Sequence, residues 1–249
     1  MNRYKAFAIH FATSLIIVSA ILALMLFIWY PAPYFEADGA QQLVILIAGV
    51  DIVLGPLLTL IIFKPGKPGL KFDLTLIALV QISALAYGAS VVYTERPSYV
   101  VYAVDMFKLV PAGSIDSDDL PSDDMRSGVF SRPKLIFARL PEDPQERSDL
   151  LLKSMDTGKD LEMLPEYYEP YANNIALVLE RARPLELLQQ SSVEAAQAVK
   201  DFLKAGGRSI HQFVFVPLIG KNRDLALVLD ATTGLPSGSV SINPFIREP

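Results

Sequence analysis

Residues 43–63 read LVILIAGVDIVLGPLLTLIIF, an apolar run whose one charged residue is Asp51. About 20 such residues are needed for an α-helix to cross the hydrocarbon core of a bilayer. The stretch therefore predicts a transmembrane helix with a carboxylate near its middle. Upstream, residues 7–30 (FAIHFATSLIIVSAILALMLFIWY) hold no Asp, Glu, Lys or Arg. Downstream, residues 74–94 form a third apolar run after KPGKPGLK at 64–71. Pro and Gly in that turn forbid one continuous helix. The expected architecture is a three-helix transmembrane domain over residues 1–94, with spans at about 7–30, 43–63 and 74–94.

Arg3 and Lys5 before the first run resemble the basic start of a signal peptide. The apolar run is longer than the ~7–15 residues of a signal's core, and Trp29-Tyr30 fits an interfacial aromatic anchor. The segment is read as a retained span. All five Lys and Arg of the first 94 residues lie before the first run or in the 64–71 turn, whereas the 31–42 loop carries only Glu36 and Asp38. The positive-inside rule puts the basic ends in the cytoplasm. Residues 95–249 then lie outside; in a bacterium that is the periplasm.

The chain has 249 residues, of which 51% are hydrophobic and 20% charged, against about 25% charged in soluble globular proteins. Residues 95–249 carry the remaining 17 basic and 23 acidic residues, a net charge of −6. That balance argues against nucleic acid, whose phosphates need a basic face. With no cysteine, disulfides, thiol nucleophiles and thiolate zinc sites are excluded. Two histidines, His10 and His211, leave little for acid–base or metal chemistry, and no nucleophile elbow, zincin helix, P-loop or dinucleotide fingerprint occurs. No enzyme, cofactor or metal is expected.

An ionised Asp51 at mid-membrane costs at least ~2.5–3.5 kcal/mol. Counting 1.5 Å per residue from the cytoplasmic ends places Asp51, Ser19 and Tyr87 at about 18 Å, and Ser14 and Gln81 at about 10 Å. Ser19 and Tyr87 are the expected hydrogen-bond partners. Three readings of Asp51 stay open: a neutral carboxyl holding the helices in register, a proton or ion relay, and a contact to a partner's transmembrane helix. One acid without a second acid, His or Lys at its depth makes a poor relay. Gly55 and Pro56 predict a close helix approach and a kink.

The ordered punctuation of these spans resembles the TfpX/TfpZ family of type IV pilin accessory proteins. The matching stretches are Phe27-Ile28-Trp29-Tyr30-Pro31 with Phe35-Glu36-Ala37-Asp38-Gly39, then Ala48-Gly49-Val50-Asp51 leading to Gly55-Pro56-Leu57-Leu58-Thr59. Lys71-Phe72-Asp73-Leu74, Gln81 with Ala84-Leu85-Ala86-Tyr87-Gly88, and Glu95-Arg96-Pro97 complete the series. The match covers roughly residues 1–100. It implies an inner-membrane protein, not an enzyme, that promotes assembly or surface display of a cognate major type IV pilin by binding or chaperoning it. The bilayer and other pilus assembly components are further expected partners. The alternative is a small membrane sensor or transport accessory protein with a solute-binding periplasmic domain.

For residues 95–249 the pattern predicts an α+β domain. Residues 98–104 read as a strand. The acidic loop at about 112–128 lacks the closing Glu and ligand spacing of an EF-hand, and reads as solvated. Asp143-Pro144-Gln145-Glu146 opens a helix that runs to about Thr157 and is capped by Gly158, with Leu150, Leu151 and Met155 as its apolar side. Ser191-Ser192-Val193-Glu194 opens a second, ending at Gly206-Gly207, with Val193, Ala196, Val199, Phe202 and Leu203 on one face. Residues 210–216, 225–229 and about 239–242 form an antiparallel meander. His211 falls in its first strand without a partner, and Asp230 holds the turn that follows the second.

Overall fold

The computed structural model describes residues 2–246. Three helices, Arg3–Trp29, Gln41–Ile62 and Leu70–Glu95, are long and apolar enough to cross a membrane. Each begins a few residues before the expected span, because Asn2 caps the first through its side chain and Gly69, at φ +79°, starts the third. Two turns are wound as π-helix, Met25–Trp29 and Gly49–Leu54. The second holds Asp51 and ends at Gly55-Pro56. Pro56 has no N–H to donate, and the wide turn before it absorbs the missing backbone bond.

The rest of the chain is built on a mixed sheet of eight strands: β1 Pro97–Ala103, β2 Met106–Pro111, β3 Lys134–Ala138, β4 Tyr168–Pro170, β5 Arg183–Pro184, β6 Phe213–Ile219, β7 Leu225–Asp230 and β8 Pro236–Val240. The order is β4-β3-β1-β2-β6-β7-β8, with β5 paired to β6. The expected meander is present as β6-β7-β8, antiparallel throughout. It is not a free-standing unit, because β6 continues the sheet by pairing in parallel with β2, and β1 pairs in parallel with β3.

Both faces of this sheet are covered, which explains why β1 and β7 are almost wholly apolar and buried. Val100 and Tyr102 of β1, Phe107 of β2 and Leu225, Leu227 and Leu229 of β7 form one core with Tyr171 and Val178. Tyr34 and Ala37, from the loop between the first two apolar helices, plug into that same core. The opposite face has two patches. Tyr99, Val101 and Ala103 pack with Leu150, Leu161 and Leu164; Phe213, Phe215, Ala226 and Val228 pack with Leu185, Leu188 and Val199.

The helix Pro144–Thr157 opens on Asp143, whose carboxylate accepts from the Gln145 and Glu146 amides, and closes on Gly158 at φ +68°. Only Leu150 of its expected apolar side is buried; Leu151 and Met155 face outward. The helix Val193–Gly206 opens on Ser192, since Ser191 ends the preceding helix, and closes on Gly207. Its buried stripe runs through Ala195, Val199 and the partly buried Ala198, Phe202 and Leu203, while Val193 is exposed. The first strand of the meander begins at Phe213, because Ser209 caps a short 3-10 turn over Ile210–Gln212. His211 therefore lies in that turn and not in a strand, and it pairs with Glu186 at 2.5 Å. The acidic stretch folds into three short 3-10 turns, with Arg126 paired to Asp123 at 3.0 Å and Asp118 at 3.6 Å. Among the described residues no group of three or more His, Asp or Glu could hold a metal ion.

Candidate functional site

The chemistry that the apolar helices carry converges on one cleft. The second helix packs against both others. The first and third diverge and leave between them a cleft of about 380 Å³, with Asp51 and Thr59 of the second helix as its floor. The first helix supplies Ile9, His10, Ser14 and Ile17 to the walls, and the third supplies Ala78, Gln81 and Ile82. The lining is predominantly apolar, so these few polar groups define what it recognises.

Asp51 is buried, at 5% exposure. The side chain that reaches its carboxyl group is Gln81, and His10 lies within electrostatic range. Gly55 makes the Gln81 approach possible: a Cβ there would overlap the Gln81 amide. Gln81 is itself 9% exposed, and its Oε1 has no hydrogen-bond partner. Nearer the basic end, His10 Nδ1 shares a 2.6 Å hydrogen bond with Thr59 Oγ1. Ser19 and Tyr87 do not join this set. Ser19 faces outward, and Tyr87 is 74% exposed on a second, smaller hollow that Asp51 also lines, with Ile47, Ala84 and Gly88.

The depth count paired the wrong residues because it started at the wrong ends. From the observed basic ends, Ser14 is eleven residues in (3 to 14), as are Asp51 (62 to 51) and Gln81 (70 to 81), about 16 Å for each. Ser14, Asp51 and Gln81 form the true layer. His10 and Thr59 were missed as a pair. Thr59 enters the sequence reading only as part of a stretch, and His10 only as one of two histidines too few for acid–base or metal chemistry. The available signal was a histidine inside an apolar span, which is rarely there for packing alone.

A second constellation fixes the bundle to the sheet domain. The loop between the first two helices meets the β6–β7 turn: Asn222 and Arg223 donate their backbone N–H groups to the Ala37 carbonyl at 3.0 and 3.1 Å. Arg223 pairs with Glu36 at 2.7 Å, Ser241 donates to Glu36 at 2.9 Å, and Lys221 pairs with Glu95 at 2.6 Å. Gly220 lets the two backbones touch, since a Cβ there would strike the Ala37 carbonyl. Trp29 donates its indole N–H to the Val129 carbonyl at 2.7 Å. Arg96, 2% exposed, stacks 3.7 Å from the centre of the Tyr93 ring and donates to the Tyr93 carbonyl. Burial pushes the Tyr34 hydroxyl up to about 12 and raises Asp38 above the ordinary carboxylate range, the latter partly offset by Lys221.

Asp230 accepts from the backbone N–H groups of Thr232 and Thr233 at 3.0 and 2.8 Å, from the Thr233 hydroxyl, and from Arg208. The Arg208 guanidinium, with these amides, holds its carboxyl far below the usual range. It is a turn-holding residue with both carboxylate oxygens engaged.

Comparison with known proteins gives these features a setting. The family model for the fimbrial assembly protein FimB matches residues 1–39, the first apolar helix and the loop that carries Tyr34, Glu36 and Ala37. Two curated proteins of Dichelobacter nodosus, the fimbrial assembly proteins of serogroups E1 and I, are each 29% identical over 97% of this chain and 95% of their own length. The fimbrial assembly protein of serogroups C1 and C2 from the same organism is 40% identical over 120 residues, 47% of this chain and 91% of that protein. No solved structure matches the chain. The match runs through both the helical part and the sheet domain, and on it the chain belongs to the FimB family of fimbrial assembly proteins.

Proposed function

We propose that the protein is a bacterial inner-membrane assembly factor that binds or chaperones a cognate major type IV pilin and so promotes its surface display. The observation that carries this reading is the likeness to fimbrial assembly proteins over 97% of the chain, which extends across both parts of the molecule. In this reading the three apolar helices span the membrane, and the N-terminus and the 64–71 turn face the cytoplasm. Residues 95–249 then form the periplasmic domain. A pilin subunit waiting in the membrane has an apolar helix and an outer head; a helix bundle rigidly tied to an outer domain is matched to hold both. The clamp of Glu36 and Ala37 on the β6–β7 turn supports such concerted action. The role is binding, not catalysis.

One observation favours a second reading. His10 lies near Asp51 in the same cleft, which supplies the second titratable group that a proton-coupled sensor or transport accessory needs.

A clean deletion tests the first reading. The expected result is fewer sheared surface pili while pilin remains in the membrane fraction by immunoblot. Unchanged pili on a pilus-bearing strain would overturn it.

A further inference from the structure

We propose that the Val129-Phe130 turn of the sheet domain is seated in the outer headgroup layer of the membrane, with Phe130 inserted among lipids, so that the domain is held to the bilayer directly as well as through the helices. Gly128 and Ser131 close a tight β-turn. The Ser131 amide donates to the Gly128 carbonyl at 3.1 Å, and the Gly128 amide to the Ser131 hydroxyl at 2.9 Å. Val129 and Phe130 occupy its tip, where a solvated turn favours Gly, Pro, Asn, Asp or Ser. They are 46% and 79% exposed.

Single exposed apolar residues are ordinary on a soluble surface; this pair is set apart by where its turn is held. Trp29, the last residue of the first apolar helix, donates its indole N–H to the Val129 carbonyl at 2.7 Å. Arg96, one residue beyond the third, donates to the Gly128 carbonyl at 3.3 Å. The Trp29 and Tyr93 rings meet edge-on with centres 5.6 Å apart, so the two helices reach one level there. The first helix has 27 residues. At 1.5 Å per residue it is about 40 Å long, longer than the ~30 Å hydrocarbon core and close to the ~40–45 Å of a bilayer with both headgroup layers. With Arg3 at the cytoplasmic surface, Trp29 falls in the outer headgroup layer, where Trp and Tyr are favoured. Phe130 is one Cα step of about 3.8 Å from Val129, which keeps its ring within reach of that layer.

The occupant that fits is lipid. Two side chains on the tip of a turn offer far less than the ~1,000 Å² of a stable protein interface, whereas an aromatic ring enters the headgroup boundary singly. The flanking charges agree. Arg126 is paired with Asp123 and Asp118, and Lys134 donates to the Asp124 carbonyl. Arg132, exposed and without an ion pair among the described residues, is left for a lipid phosphate. The seating rests on the membrane topology proposed above.

The chain has no cysteine, so a single cysteine carries one NBD fluorophore cleanly. Val129→Cys labels the tip and keeps Phe130. Ile16→Cys, at a site 70% exposed in mid-helix, reports the bilayer centre. Leu235→Cys reports the far end of β7 from the turn that meets the bundle. Each full-length protein is placed in vesicles of phosphatidylethanolamine and phosphatidylglycerol containing lipid with a shallow or a deep doxyl quencher. The expected result is quenching at 129 several times that at 235 and strongest with the shallow quencher, while 16 responds most to the deep one. Phe130→Asp added to the labelled Val129→Cys protein should remove most of the shallow quenching. Equal quenching at 129 and 235, or quenching at 129 that Phe130→Asp leaves unchanged, would overturn the seating. A tip open to aqueous iodide in the vesicles and shielded in native membranes would overturn it in favour of a protein contact. If 16 escapes the deep quencher the topology itself fails; if 16 is quenched and 129 is not, the seating fails alone.

Discussion

Asp230 and Asp51 are both aspartates fixed by tight local geometry, and their surroundings differ in kind. Asp230 accepts from two backbone amides and a hydroxyl within its own turn and from the guanidinium of Arg208. Asp51 has the Gln81 amide on one side and an open cleft on the other. The contrast extends to the two regions around them. The sheet domain is closed: both faces of its sheet are covered and its central strands are buried. The helical bundle is open: its polar groups face a cleft that its own helices leave empty. A carboxylate with both oxygens engaged inside the fold shapes that fold. One left partly unanswered is available to something else.

The largest blow to the closed region is Phe107→Ala. Phe107 is fully buried, packed edge-on to Tyr102 and near Tyr171. Removing it should cost about 3–5 kcal/mol, read as a lower melting temperature of the detergent-solubilised full chain. Gly220→Ala attacks the seam between the regions. Its new Cβ meets backbone on both sides, the Ala37 carbonyl and Arg223, so neither can swing aside. A cost of about 1–3 kcal/mol should appear with faster proteolytic cleavage between bundle and sheet domain.

Asp230→Ala should lower the melting temperature modestly, because the turn loses the side chain that holds the Thr232 and Thr233 amides. This group lies below its ordinary range when folded. Its stabilisation is present above the unfolded value of about 3.9 and is lost as pH falls through the folded one. Acid titration of the melting temperature should therefore flatten in the variant.

Asp38 behaves oppositely. Burial raises it, so its contribution is present below the unfolded pKa and is lost as pH rises through the folded pKa. Asp38→Asn should melt slightly higher than the parent protein at neutral pH, and the gap should close as the pH is lowered. A gap that widens with acid would mean the carboxylate is held charged.

What was legible in the sequence was what short-range chemistry decides. The Asp143 cap, the Gly158 stop and the Gly206-Gly207 stop are local signals that the structure keeps, whereas the cap of the later helix moves from Ser191 to Ser192 because Ser191 ends the helix before it. The antiparallel order of β6, β7 and β8 follows from short turns between neighbours. What was not legible depends on distant partners. The parallel pairings β1–β3 and β2–β6 join strands separated by long connections, and β4 is three residues long. Leu151 and Met155 could not be told from Leu150, because which side of that helix faces the sheet is set by the strands beneath it. In the bundle the polar residues were visible, but their layer was not. A four-residue error in where each outer helix begins moved Ser14 and Gln81 out of the layer of Asp51 and put Ser19 and Tyr87 into it.

The central claim is that Asp51 serves assembly by its hydrogen-bonding shape within the open cleft, and a pair of substitutions tests it. Asp51→Asn and Asp51→Leu are placed in the chromosome, and surface pili are counted by shearing against membrane pilin and membrane levels of the protein itself. The account predicts near-normal pili with Asn, which keeps an acceptor beside Gln81, and loss of pili with Leu at unchanged protein and pilin levels. Loss of pili with Asn as well would contradict it in favour of proton coupling, and normal pili with Leu would show that the cleft's polar floor plays no part.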